Sequence, residues 1–173
     1  NGKPVVVNSD GTVSVVAGTS ITEATGTPVQ FLPSARARVG GGAYDSNSNK
    51  VLFVYADYGN SYVLTGVVGT VSGTAISFGT PVVIYSGFNF GGPFPVTFDP
   101  VANKFVVIFT GTNSYASSKV VTISGTSLSV GSEVIVDNTV SGHDAASMCY
   151  DSGNGKHVVI TNGYRTRVGT VSG

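Results

Sequence analysis

Residues Ala43–Gly73 read AYDSNSNKVLFVYADYGNSYVLTGVVGTVSG, and the same text returns, altered but aligned, further along the chain. It recurs as TFDPVANKFVVIFTGTNSYASSKVVTISG at Thr97–Gly125 and as CYDSGNGKHVVITNGYRTRVGTVSG at Cys149–Gly173. The chain also opens inside it, with NGKPVVVNSDGTVSVVAG at Asn1–Gly18. Three anchors fix the register. A Tyr/Phe-Asp pair precedes Lys at Asp45…Lys50, Asp99…Lys104 and Asp151…Lys156, and Lys3 matches these lysines. A Gly-Thr-x-Ile/Leu group stands at Gly18–Ile21, Gly73–Ile76 and Gly125–Leu128. Gly-Thr-Pro-Val stands at Gly26–Val29 and Gly79–Val82, weakened to Gly-Ser-Glu-Val at Gly131–Val134. Lys104 follows Lys50 by 54 positions and precedes Lys156 by 52. A period of about 50 with several strands per unit is the spacing of β-propeller blades.

Within one unit the pattern predicts four short strands. They fall at Pro95–Phe98, Lys104–Phe109, Ser118–Ile123 and Leu128–Val136, bounded by Gly, Asn, Ser and Pro. The preceding unit gives Arg38–Tyr44, Val51–Tyr55, Tyr62–Val71 and Ile76–Tyr85. The opening unit supplies Val5–Val7, Val13–Val16 and Val29–Leu32, and the last supplies Ala146–Tyr150, His157–Thr161 and Arg165–Val171. Short loops make sequence neighbours pair antiparallel. No window carries a sustained helical period with caps. The expected fold is all-β: tandem four-stranded antiparallel repeats acting as propeller blades. The units are 36–87 and 88–140, flanked by partial ones at 1–35 and 141–173. A ring usually takes about four to eight blades. Two whole units therefore imply a segment of a longer array, or a ring completed by other chains.

Composition agrees with a β-protein whose polar faces are uncharged. Charged residues are 10% of the 173, nine basic and nine acidic, with 24 glycines. Zero formal charge removes the electrostatic argument for nucleic acid. No apolar run approaches the roughly 20 residues of a membrane helix, so membrane insertion is not expected. A single Cys149 excludes an intramolecular disulfide framework.

Few residues invite chemistry. Asp45-Ser46-Asn47-Ser48-Asn49 has the spacing of a Ca²⁺ loop start. Val101 and Gly153 break that pattern in the other copies, so the aspartates read as turn caps. No catalytic, metal or cofactor set emerges. His157 aligns with Val51 and Phe105 and reads as a strand position. The pair His143-Asp144 has no counterpart in other units. Aromatic and basic residues near loops are the candidates for recognition: Tyr55, Tyr58 and Tyr62; Phe88, Phe90 and Phe94; Tyr164, Arg165 and Arg167; and Arg36 and Arg38. In a four-stranded blade these loops emerge on one face, where Tyr, Phe and Arg suit sugar or protein. The competing reading packs the phenylalanines between blades and the tyrosines on loop backbone.

YDSNSNK (Tyr44–Lys50), the Gly59–Ser61 loop, VGTVSGTAIS (Val68–Ser77) and FGTPVV (Phe78–Val83) together resemble a tandem β-repeat of marine bacteriophage virion and tail-fibre-like proteins. The resemblance covers nearly the whole chain and is sharpest over Ala43–Ser86. It implies a non-enzymatic structural component on a virion surface or outside the cell. Its implied partners are copies of itself, other virion proteins, and a host-surface glycan or protein. The rivals are a bacterial extracellular lectin or adhesin and, from another class, a glycan-processing enzyme on a propeller. The enzyme needs a unique carboxylate pair, and the unrepeated acids Glu23, Asp57, Glu133 and Asp144 show no pairing in the sequence.

Overall fold

Five consecutive apolar residues, Phe105–Phe109, are all buried within one strand. A strand points successive side chains to opposite faces, so a run buried throughout needs cover on both sides. Phe105, Val107 and Phe109 enter one core and Val106 and Ile108 another. The strand lies in the middle sheet of a three-sheet stack, and the rest of the architecture follows from that.

The computed structural model describes residues 5–15, 24–32, 36–88, 93–139, 145–161 and 165–171. Its fifteen strands form four antiparallel sheets. β1 (Val5–Val7) and β2 (Val13–Val15) make a hairpin. β3 (Ala37–Asp45), β4 (Lys50–Asp57), β5 (Val63–Ser72), β6 (Ala75–Phe78) and β7 (Val82–Phe88) make the second sheet. β8 (Val96–Asp99), β9 (Lys104–Thr110), β10 (Ala116–Ser124), β11 (Ser127–Val130) and β12 (Val134–Asp137) make the third. β13 (Ala145–Asp151), β14 (Lys156–Thr161) and β15 (Arg165–Gly169) make the fourth. Among the described residues there is no α-helix, only 3-10 turns at Tyr58–Asn60 and Thr112–Ser114.

Two expectations need correction. Ile76–Tyr85 and Leu128–Val136 are not continuous fourth strands. β6 and β7 both pair with β5, and β11 and β12 both pair with β10, so each edge strand is broken in the middle. The break falls on the Gly-Thr-Pro and Gly-Ser-Glu anchors. There Gly79 N–H donates to the Val68 carbonyl and Gly131 N–H to the Val120 carbonyl, and Pro81 has no N–H to give a ladder. Val29–Leu32 is not a strand either. Phe31 holds that segment instead, packing its ring on Tyr55 and Phe78.

The stack obeys one rule. Leu52, Val54, Ala56 and Leu64 of the second sheet face Phe98, Phe105, Val107 and Phe109 of the third. Val106 and Ile108, on the third sheet's other side, face Val159 and Met148 of the fourth. In register, Val106 and Ile108 stand where Leu52 and Val54 stand, and Val159 stands where Val107 stands. Each sheet thus sets its even face, in the numbering of β4 and β9, against the odd face of the next. The first strands β3, β8 and β13 neighbour one another in the same order.

Between-unit spacing is set by glycine. A Cβ at Gly26 would land on the Thr74 carbonyl oxygen, and a Cβ at Gly79 on that of Thr126. The same anchor glycine therefore meets the same turn threonine one unit further along, twice. Gly79→Ala should destabilise by about 1–3 kcal/mol through forced separation of the sheets. Gly131→Ala has its nearest neighbour at 3.4 Å and should stay within about 1 kcal/mol of wild type. Urea unfolding of the two variants checks the order.

Candidate recognition rim and its supporting polar layer

The two ends of the stack differ in chemistry. At one end lie the turns that join first to second strands. Each aspartate side chain accepts backbone N–H groups two and three residues on: Asp45 from Asn47 and Ser48, Asp99 from Val101 and Ala102, Asp151 from Gly153 and Asn154. Asn49, Asn103 and Gly155 then take positive φ of 57°, 56° and 63°, which Asn and Gly tolerate best. The Ca²⁺-like spacing is spent on these turns. Asn47 Nδ2 reaches the neighbouring turn, donating to the Pro100 carbonyl at 2.8 Å and to Asn103 Oδ1 at 3.1 Å. Asn49 Oδ1 accepts from the Tyr44 hydroxyl at 2.9 Å. Among the described residues no three His, Cys, Asp or Glu side chains gather.

At the opposite end lie the loops between second and third strands. Arg36 lies with its guanidinium 6.0 Å from the centre of the Tyr58 ring, and its carbonyl accepts the Tyr58 N–H at 2.8 Å. Tyr58 and Tyr62 meet edge to face at 4.6 Å. Tyr58 is 47% exposed. The loop is held open by Asp57, which accepts from Gly59 N–H, and by positive φ at Ser61 and Tyr62. In the next unit Glu133 closes the equivalent loop, accepting from the Thr112 N–H and hydroxyl at 2.8 and 2.9 Å.

The sequence candidates separate accordingly. Tyr58, Tyr62 and Arg36 come together at the rim. Tyr55 does not belong to a loop: it sits on β4, 2% exposed, and burial, then the Asp57 charge, pushes its phenol up to about 12. Phe94 is equally buried, in the core between the second and third sheets. For these two the packing reading wins, because a ring on the odd face or beneath β3 has another sheet over it. Phe88 ends β7, and its side chain lies outside the description. Phe90, His143, Asp144 and Tyr164 lie outside the described residues, as does the Arg38 side chain.

Arg165 is not a free loop cation. Its Nη1 lies 4.0 Å from Asp137 Oδ1 and donates to the Thr139 hydroxyl, while Arg167 Nη2 lies 3.3 Å from the same carboxylate. Asp137 is 2% exposed and also accepts from Thr161 at 3.2 Å. The Thr139 hydroxyl bond holds this carboxyl down to about 2. Burial opposes it; the Thr139 N–H, Arg167 and Thr161 reinforce it.

His157 was missed as a site by sequence reasoning. Its ring is 5% exposed between the third and fourth sheets. Thr97 Oγ1 lies 2.8 Å from Nδ1, and Asp99 Oδ2 lies 3.8 Å from Nε2. Nε2 has no hydrogen-bond partner. Tyr150 stacks near the ring at 5.0 Å and donates its hydroxyl to Asp99 at 3.0 Å. The signal available was substitution within the repeat: His where Phe105 stands, and Asp137 where Tyr85 stands.

No protein-family model and no curated protein sequence matches the chain.

Burial lowers the His157 pKa from the ordinary 6.5, only partly opposed by the Asp99 charge. The folded protein therefore resists a proton that the unfolded chain accepts. Stability is fully present above 6.5 and falls as pH drops below that value. Urea midpoints should decline from pH about 7.5 to about 5 in wild type, and stay nearly flat in Thr97→Val/His157→Phe, which keeps His143. The Asp137 contribution is lost separately, as pH falls from 3.8 towards about 2.

Proposed function

We propose that this chain is a surface module of a phage virion, a run of propeller-like blades whose loop rim adheres to a host glycan or protein. The observation that carries the reading is the Arg36–Tyr58–Tyr62 cluster: an exposed aromatic platform with a cation against it, fixed at the end of a stacked sheet. Tyr faces offer an apolar plane with a hydroxyl at its edge, which matches the alternating CH and OH surface of a sugar ring. Arg supplies fork-shaped donors for hydroxyl or carboxylate groups. The platform needs a rigid base, and the interlocked glycines, turns and cores beneath it supply one. Radial arrangement of the blades is favoured by the first strands β3, β8 and β13 lying side by side, as inner strands of a propeller do. The virion setting rests on the resemblance of Tyr44–Val83 to the marine phage repeat.

Glycan arrays and intact marine host cells test the adhesive role. Binding by the folded chain should fall about tenfold or more in Tyr58→Ala, the usual size of a central aromatic anchor. Its unfolding midpoint should be unchanged, since the ring is half exposed. Turnover of any bound glycan by the wild-type chain, or binding unaltered in Tyr58→Ala, overturns the proposal. Antibody to the chain labelling purified phage particles supports the virion setting, and failure to label any such particle refutes it.

A further inference from the structure

The stacking rule has two loose ends. On the fourth sheet, Val158 and Val168 are paired across β14 and β15, beside Cys149 of β13, and Ile160 lies on the same side. This is the even face, the one that in the second and third sheets is covered by the next sheet's odd face. Here it is bare: Ile160 is 44% exposed, Val168 65%, and Cys149 is exposed. On the second sheet, the odd face carries a hollow of about 580 Å³ lined by Gly40–Tyr44, Val51 and Phe53, with Phe31 at one side. Its equivalents in the third and fourth sheets, Phe105 with Val107 and His157 with Val159, are filled by a preceding even face.

We infer that a second copy of this chain sets the odd face of its second sheet against the even face of the fourth sheet, head to tail. The occupant follows from the interfaces already formed. Both internal junctions join an even face to an odd face, so the two free faces are the complementary pair and neither complements itself. Small residues suit the contact: Gly40, Gly41 and Gly42 on β3 leave room for β-branched side chains, as Gly66 leaves room for Leu128 at the internal junction. Repeat arrays need polar terminal faces to remain single, and this apolar face lacks one. The contact is heterologous, so it closes into a ring or continues as a filament according to the rotation per unit. It rests on the stacking geometry alone, so it stands or falls separately from the adhesive rim.

Native mass spectrometry and sedimentation of the full chain across a wide concentration range test it. Wild type should grow in mass with concentration. Ile160→Asp, which spoils the even face, and Val51→Asp, which spoils the odd face, should each remain monomeric while keeping the strand signal in circular dichroism. If Val51→Asp lowers the unfolding midpoint, Tyr44→Lys at the exposed edge of the same face replaces it. Mixing the two variants should give a heterodimer that stops at two chains, because each retains one sound face. A wild type that stays monomeric throughout, as when the β1–β2 hairpin fills the hollow within its own chain, overturns the inference. So does a mixture that forms no dimer, or an Ile160→Asp protein that assembles like wild type.

Discussion

Burial of β9 on both sides is the constraint on which everything else depends. A strand with one wet face can slide or fray at modest cost. A strand reading Phe-Val-Val-Ile-Phe with both faces dry cannot shift by one residue without exchanging its two cores. Phe105, Val107 and Phe109 are too large for the space filled by Val106 and Ile108 against Val159 and Met148. Register in β9 therefore fixes the register of β8 and β10, and through them the orientation of the sheets above and below. The glycine contacts at Gly26 and Gly79 then set how near those sheets come. Side chains choose the faces, and backbone against backbone chooses the distance.

The last junction solves the same packing problem with different chemistry. In one layer the second and third sheets meet through Tyr85 against Phe109, rings 4.8 Å apart. The equivalent residues of the third and fourth sheets are Asp137 and Thr161, joined by a hydrogen bond at 3.2 Å and neutralised by Arg167. A nearby layer replaces Phe105 by His157, with the Thr97 hydroxyl as partner. Polar substitution on both sides of a buried junction keeps each group satisfied, whereas changing one side alone would strand a buried carboxylate or imidazole. The apolar remainder there is smaller, three fully buried residues against eleven at the preceding junction. A junction held more by directed bonds than by area is the one that pH reaches first.

Much of this was legible in the text of the chain. Repeat anchors gave the all-β class and most strand positions, because Asp-capped turns and positive-φ Asn or Gly have local causes readable from a few residues. The break in each fourth strand was not legible. Val82–Phe88 and Val134–Asp137 look continuous with what precedes them. Only the hydrogen bonds from Gly79 and Gly131 show that the anchor interrupts the ladder. Tyr55 looked like a loop residue because it adjoins Tyr58 and Tyr62. Its fate was set by strand parity, which places it on the odd face beneath Phe31. His157 looked ordinary for the opposite reason: its partners Thr97 and Asp99 come from another unit 60 and 58 positions away, and no local pattern records that.

The two ends of the stack are not equally free to evolve. At the turn end, Asn47 is bonded to the neighbouring turn and Tyr150 to Asp99, so a change in one unit disturbs the next. At the loop end, each unit closes its own loop with its own residues: Asp57 with Gly59 in one, Glu133 with Thr112 in another. Those loops differ in sequence because their closure makes no demand on their neighbours. Tyr58 can be exchanged without loosening a sheet, and Asn47 cannot. Variation that a recognition surface requires is therefore available at one rim only, and it is the rim where the aromatic and cationic side chains have collected.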